Sequence, residues 1–128
     1  MRFFLDNMIS ARFARALREV QRDVVALREV FPEDAPDEDW IARIAEHRCV
    51  LVTLDRHIRS RPLQRQALAR ARVIALFLGP FFSRSKFWDQ FVWLVRYWTR
   101  IEHTVAGLER GACMAVRQNG RMQAMPRV

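Results

Sequence analysis

The sequence predicts an α/β fold, a three-layer α/β/α sandwich around a mostly parallel central sheet. Three observations predict it. Four short apolar runs, "RFFL", "DVVALREVF", "CVLVTLD" and "VIALFLG", recur along the chain. Segments with apolar residues at helical spacing separate them. The runs are apolar almost without alternation, which suits strands covered on both faces, the condition of a parallel sheet between two helix layers.

In chain order, "RFFL" is a short buried strand. Residues 8–22 then place Ile9, Phe13, Leu17 and Val20 near helical spacing, with Arg12, Arg15, Arg18 and Arg22 on other faces. "DVVALREVF" is expected as a second strand. "PEDAPDED" is a polar turn, and Asp37 is well placed to cap a helix over 38–47. "CVLVTLD" is the cleanest strand, β-branched and continuous. A basic stretch, "RHIRSRPLQRQALARAR", follows, with Pro62 acceptable in a first helical turn. "VIALFLG" is a fourth strand. The longest helix is expected over 83–110, with Gly111 as its stop. Within residues 111–128, Asn119-Gly120 between two short runs signals a C-terminal hairpin.

The 128 residues, 51% hydrophobic, suit one domain over 1–128 with a real core. The most apolar candidate span, "KFWDQFVWLVRYWTRI", carries Asp89, Arg96 and Arg100 inside it, so no membrane helix is expected. Asp6 interrupts the N-terminal apolar run, against a secretory signal. Cys49 and Cys113 have no metal-type spacing and read as buried free thiols in a reducing cytosol. A cytoplasmic protein with no membrane partner is the expectation.

The net charge of +8 is segregated. Residues 1–55 hold eight Arg against eleven Asp and Glu, and residues 56–128 hold fourteen Arg and Lys against three. A polyanion approaching an acidic centre through a basic surround fits that distribution. An arginine-biased genome is the bland account, since 21 of the 22 basic residues are Arg.

In an open parallel sheet, ligands bind beyond the carboxyl ends of the strands, where strand order reverses. "RFFLD" ends on Asp6, "CVLVTLD" ends on Asp55, and "PDED" brings Asp37, Glu38 and Asp39 to a helix start on the same edge. Each has an ordinary use: Asp6 or Asn7 as a helix cap, Asp37 as an N-cap, Asp55 as a turn residue. Together they form a cluster of mutually repelling carboxylates, which a hard, oxygen-seeking Mg²⁺ or Mn²⁺ would offset. His47 is near a helix end, His57 lies in the basic loop and His103 falls on a helix surface, so none is expected as a ligand. The aromatic stripe of the long helix suits core or a protein interface, a homodimer among the options.

The opening "FFLDNMIS", the helix start "PDEDWI" and the T-x-D of "VLVTLDRHI" resemble the PIN-domain superfamily of metal-dependent ribonucleases. More narrowly, they resemble the compact PIN-like proteins related to VapC-type toxins, over roughly residues 2 to 110. The resemblance implies a sheet in the order 3-2-1-4-5, endonucleolytic cleavage of RNA, and a toxin neutralised by an antitoxin protein. It also implies Asp6, Asp37 and Asp55 as catalytic, metal-binding acids, with Glu38 and Asp39 as alternatives in the middle position. Many such domains carry a further acid after the fourth strand. Here "PFFSRSKFWD" offers Ser83 and, deeper in the helix, Asp89. Arg56, Arg59 and Arg61 are the expected RNA contacts.

Two rivals stand beside this. A phospho-acceptor receiver domain also has acids after its first and third strands, but Asn7 follows Asp6 and the only lysine, Lys86, lies in the long helix. A degenerate, non-catalytic PIN-like module binding RNA or a partner protein is the stronger alternative.

Overall fold

The computed structural model describes residues 1–128. Its strands are β1 (Arg2–Leu5), β2 (Val24–Ala26), β3 (Cys49–Thr53), β4 (Ile74–Leu78), β5 (Cys113–Val116) and β6 (Met122–Met125). Its helices are α1 (Ala11–Glu19), α2 (Leu27–Val30), α3 (Asp37–Ile44), α4 (Pro62–Ala71), α5 (Pro80–Arg84) and α6 (Phe87–Ala106), with a 3-10 turn over Arg56–Arg59. The sheet is parallel except for the final hairpin, β5 with β6.

The predicted fold class holds, with a different strand order. The sheet runs β2-β1-β3-β4-β5-β6, not 3-2-1-4-5. Burial explains the difference. Every residue of β3 and of β4 is buried, so these strands need neighbours on both sides and helices on both faces. An order starting with β3 would leave it at an edge. The three-residue β2 takes that edge instead, where a short strand presents few unpaired backbone groups.

Alternating side chains feed two cores. Phe3, Leu5, Val50, Val52, Ile74 and Leu76 pack against Phe13 and Leu17 of α1 and Leu94, Trp98 and Ile101 of α6. Phe4, Leu51, Ala75 and Phe77 pack against Trp40, Ile41 and Ile44 of α3 and Leu68 of α4. The Trp98 and Phe3 rings lie 5.0 Å apart, tying the long helix to the first strand.

Three expected elements change. "DVVALREVF" is a strand only to Ala26 and then turns into α2. The Glu29 carboxylate accepts from the Ala26 N–H and pairs with Arg18, an alternative to ladder bonds. The long helix is two, broken at Ser85 and Lys86, because the Ser85 N–H closes α5 on Phe82 O and its hydroxyl donates to Phe81 O. Gly107, not Gly111, ends α6. The hairpin stands as expected: Gly120 has φ +80°, and a Cβ there would lie 2.3 Å from the Tyr97 ring. Cys49 and Cys113 are free and buried. No helix is long and apolar enough to cross a membrane.

Candidate active site

The chain steps from β1 out to β2 and then crosses back to β3 on the other side, so the switch point falls between β1 and β3. The backbone of β1 continues its pairing one residue further, with the Asp6 N–H on Val52 O at 3.0 Å. Asp6 therefore emerges at the centre of the rim. It does not cap α1; Ser10 does, accepting from the Arg12 N–H.

Asp6 is buried, at 6% exposure. Its Oδ1 accepts from the Met8 N–H at 2.9 Å, and its Oδ2 accepts from the Leu54 N–H at 3.0 Å and from the Thr53 hydroxyl. Burial pushes its pKa above the ordinary carboxylate value; these three donors pull it down in part, and the Asp55 charge adds to the rise. A raised pKa means that the fold binds this proton more tightly than the unfolded chain. The contribution to stability therefore falls as pH rises through that value. The site holds a carboxylate whose charge wants a cation.

Thr53 links two of the acids. Its hydroxyl donates to Asp6 and accepts from the Asp55 N–H at 2.9 Å. Asp55 opens the 3-10 turn, its Oδ1 accepting from the His57 N–H at 3.0 Å, so its use as a turn residue is real as well. Asp37 stands in the first turn of α3 and caps nothing; its Oδ1 accepts from Trp40 Nε1 at 3.0 Å. The remaining oxygens of the two acids face one guanidinium: Arg61 Nη1 is 3.0 Å from Asp55 Oδ2 and 3.9 Å from Asp37 Oδ2.

Asp6, Asp37 and Asp55 line one cleft of about 90 Å³, with Thr53 and Trp40 in its wall. Of "DED", Asp37 is the acid that lines it. Glu38 lines a groove between α3 and α4, and Asp39 is exposed. Asp89 is exposed in the first turn of α6 and does not line the cleft. Ser83 donates to Pro80 O. The arginines divide: Arg61 spans the acids, Arg56 is exposed on the same rim, and Arg59 turns away. Arg59 donates to Pro126 O and stacks over Phe77, at 5.8 Å from the ring centroid. The periodicity of the sequence did not reveal Thr53, Trp40 or the clasp by Arg61, although the T-x-D spacing carried the first.

The donor chemistry fits a hard divalent cation: three carboxylates, all oxygen, around a small polar cleft. No three His, Cys, Asp or Glu side chains are arranged to hold an ion directly. Mg²⁺ keeps several waters and needs only one or two carboxylates, so this spacing suits it with water completing the shell.

A family profile described as a PIN like domain matches residues 1–80. The chain belongs to the PIN-like domain family. All three cleft aspartates fall inside the match, and α6 and the hairpin lie beyond it. No curated protein and no solved structure matches the chain. PIN-like domains are of a nuclease-type superfamily and usually use divalent metals.

Proposed function

We propose that this PIN-like domain is a metal-dependent endoribonuclease hydrolysing RNA phosphodiester bonds. The observation that carries the proposal is the convergence of Asp6, Asp37 and Asp55 on one cleft at the switch point of the sheet. When bound, Mg²⁺ or Mn²⁺ supplies charge neutralisation at the phosphate and acidification of an attacking water. Asp6, fixed by three donors, would be a ligand of such an ion, with Asp37 and Asp55 contributing directly or through water. Arg61 lies between those two acids, and its guanidinium would be available to a substrate phosphate if a cation offset their charge.

A path for the RNA strand lies beside the cleft. A groove of about 950 Å³ along the ends of β4 and β5 is lined by Arg56, Arg84 and Arg117, with Phe81 in its wall. Guanidinium groups there neutralise phosphates, and an aromatic ring offers a stacking face for a base. Arg56 joins the cleft to this groove, whereas Arg59 supports the fold.

The test is Mn²⁺-dependent cleavage of RNA by purified Asp6→Asn protein. Cleavage falls to background while the melting transition stays cooperative, because the amide oxygen still accepts from the Leu54 N–H and the Thr53 hydroxyl and only the Met8 N–H loses its acceptor. Undiminished, chelator-sensitive cleavage in that variant overturns the assignment.

The second reading, a non-catalytic module that binds RNA or a partner protein, is favoured by one observation: Arg61 already neutralises two of the three acids. RNA binding indifferent to chelator, with no cleavage, selects it. The toxin role comes from the family resemblance alone, and growth arrest relieved by a neighbouring small gene tests it. Trp88, Val92 and Val95, exposed on one face of α6, are the surface we assign to an antitoxin or a second copy. Light scattering distinguishes a homodimer.

A further inference from the structure

A second basic cavity lies at the opposite rim, where β3, β4 and β5 begin. It measures about 510 Å³, within the size range of small-molecule sites. Its floor is apolar, formed by Cys49, Val73, Ile74 and Leu108, and its polar wall includes Arg48, Arg72 and Arg110. None of these arginines takes part in an ion pair. The one carboxylate in the wall, Glu109, is held by Arg127 at 2.9 Å. Burial pushes the Cys49 thiol up to about 11, so the floor carries no charge near neutrality. The five residues of β3 separate this cavity from the acidic cleft by about 16 Å.

Backbone geometry adds a second observation. Arg72 ends α4 in the left-handed region, at φ 52° and ψ 36°, where glycine or asparagine is the usual residue. The turn at Gly111, φ +83°, passes close to it: a Cβ added at Gly111 would lie 3.9 Å from the Arg72 Cα. A strained residue that presents a charged head at a cavity mouth points to a ligand more than to turn chemistry, which glycine would serve better.

Arg48, Arg72 and Arg110 follow the C-terminal ends of α3, α4 and α6, and cations there offset helix dipoles. Each helix end is worth about half a negative elementary charge. Three helix ends against three full positive charges leave the rim net positive, with guanidinium groups to spare.

We propose that this cavity is a binding site for an organic phosphate of nucleotide type, its flat apolar part on the floor and its phosphate held by Arg72 and Arg110. The phosphate can come from a free mononucleotide or from the end of an RNA strand. The site is independent of the acidic cleft, so Asp6→Asn protein, unable to cleave, is the background for the test. Calorimetric titration with AMP, adenosine and a 5′-phosphorylated hexaribonucleotide reads it. AMP binds, adenosine binds at least roughly tenfold more weakly, and affinity drops with added salt. Saturation by AMP assigns a free nucleotide; saturation by the hexamer alone, lost when its 5′-phosphate is removed, assigns a strand end. Arg72→Gly suits the left-handed backbone and removes the guanidinium, so it folds and weakens the titration roughly tenfold or more. Arg110→Ala does the same. Failure of both AMP and the hexamer to bind overturns the proposal. So does equal binding of adenosine and AMP, or an Arg72→Gly variant whose melting changes while its binding does not.

Discussion

At the carboxyl ends of β1 and β3 the sheet presents three aspartates around about 90 Å³; at the amino ends of β3 and β4 it presents three arginines around about 510 Å³. Both rims obey one electrostatic rule. Acids gather near a helix start, at α3, and bases follow helix ends, at α3, α4 and α6, each opposite in sign to the local dipole. The difference is in what holds the charges. Asp6 is buried, bound by three donors and wired to Asp55 through Thr53. The arginines are exposed and unpaired. Matching the dipole is therefore not enough to make a centre of chemistry. Burial and fixed donors set the acidic rim apart, while the basic rim is an open receptor.

The largest effect separates the rims completely. Asp6→Asn removes metal-dependent cleavage to background in an RNase assay and leaves AMP titration at the basic cavity unchanged; a change in both would dissolve the distinction. Thr53→Val comes next. It strands the Asp55 N–H and takes one donor from Asp6, at a cost of about 2 kcal/mol in urea denaturation. Thr53→Ser, which keeps the hydroxyl, recovers most of that.

Arg61→Ala sharpens the comparison from the other side. With their internal cation gone, Asp37 and Asp55 bind Mn²⁺ several-fold more tightly by calorimetry, and the metal-induced rise in Tm grows. An unchanged Mn²⁺ affinity would mean that the clasp and the metal do not compete. The smallest effect lies off both rims. The Arg18–Glu29 pair holds the Glu29 carboxyl below its usual range, and its Arg18 side chain is 38% exposed, so screening limits it. Glu29→Gln costs less than about 1 kcal/mol at pH 7. A lowered pKa makes this contribution present above the ordinary value and lost as pH falls through the folded one. Denaturation of wild type and Glu29→Gln should therefore draw together as pH falls into the acid range.

Asp6, Asp55 and the hairpin at Gly120 were legible because each rests on a local signal: a strand end, a T-x-D, an Asn-Gly pair. Asp37 was legible only as one of three acids, since α3 must form before its register turns one toward the cleft. The true extent of "DVVALREVF" was hidden, because Glu29 reaches back to Ala26 and across to Arg18. Strand order was misjudged because the resemblance supplied it, whereas the full burial of β3 required a central place. The arginines after Asp55 look alike in sequence, and only the fold sends Arg61 to the outer oxygens of Asp55 and Asp37, Arg56 to the groove and Arg59 to Pro126.

The single hydroxyl of Thr53 also makes the two acids inheritable as a unit. A substitution that shifts Asp6 drags the hydroxyl, and the hydroxyl drags Asp55, the second residue after β3, so neither carboxylate can be tuned alone. Adaptation at this cleft has its freedom in Asp37 and Arg61, which approach from separate segments and make no hydrogen bond to Thr53.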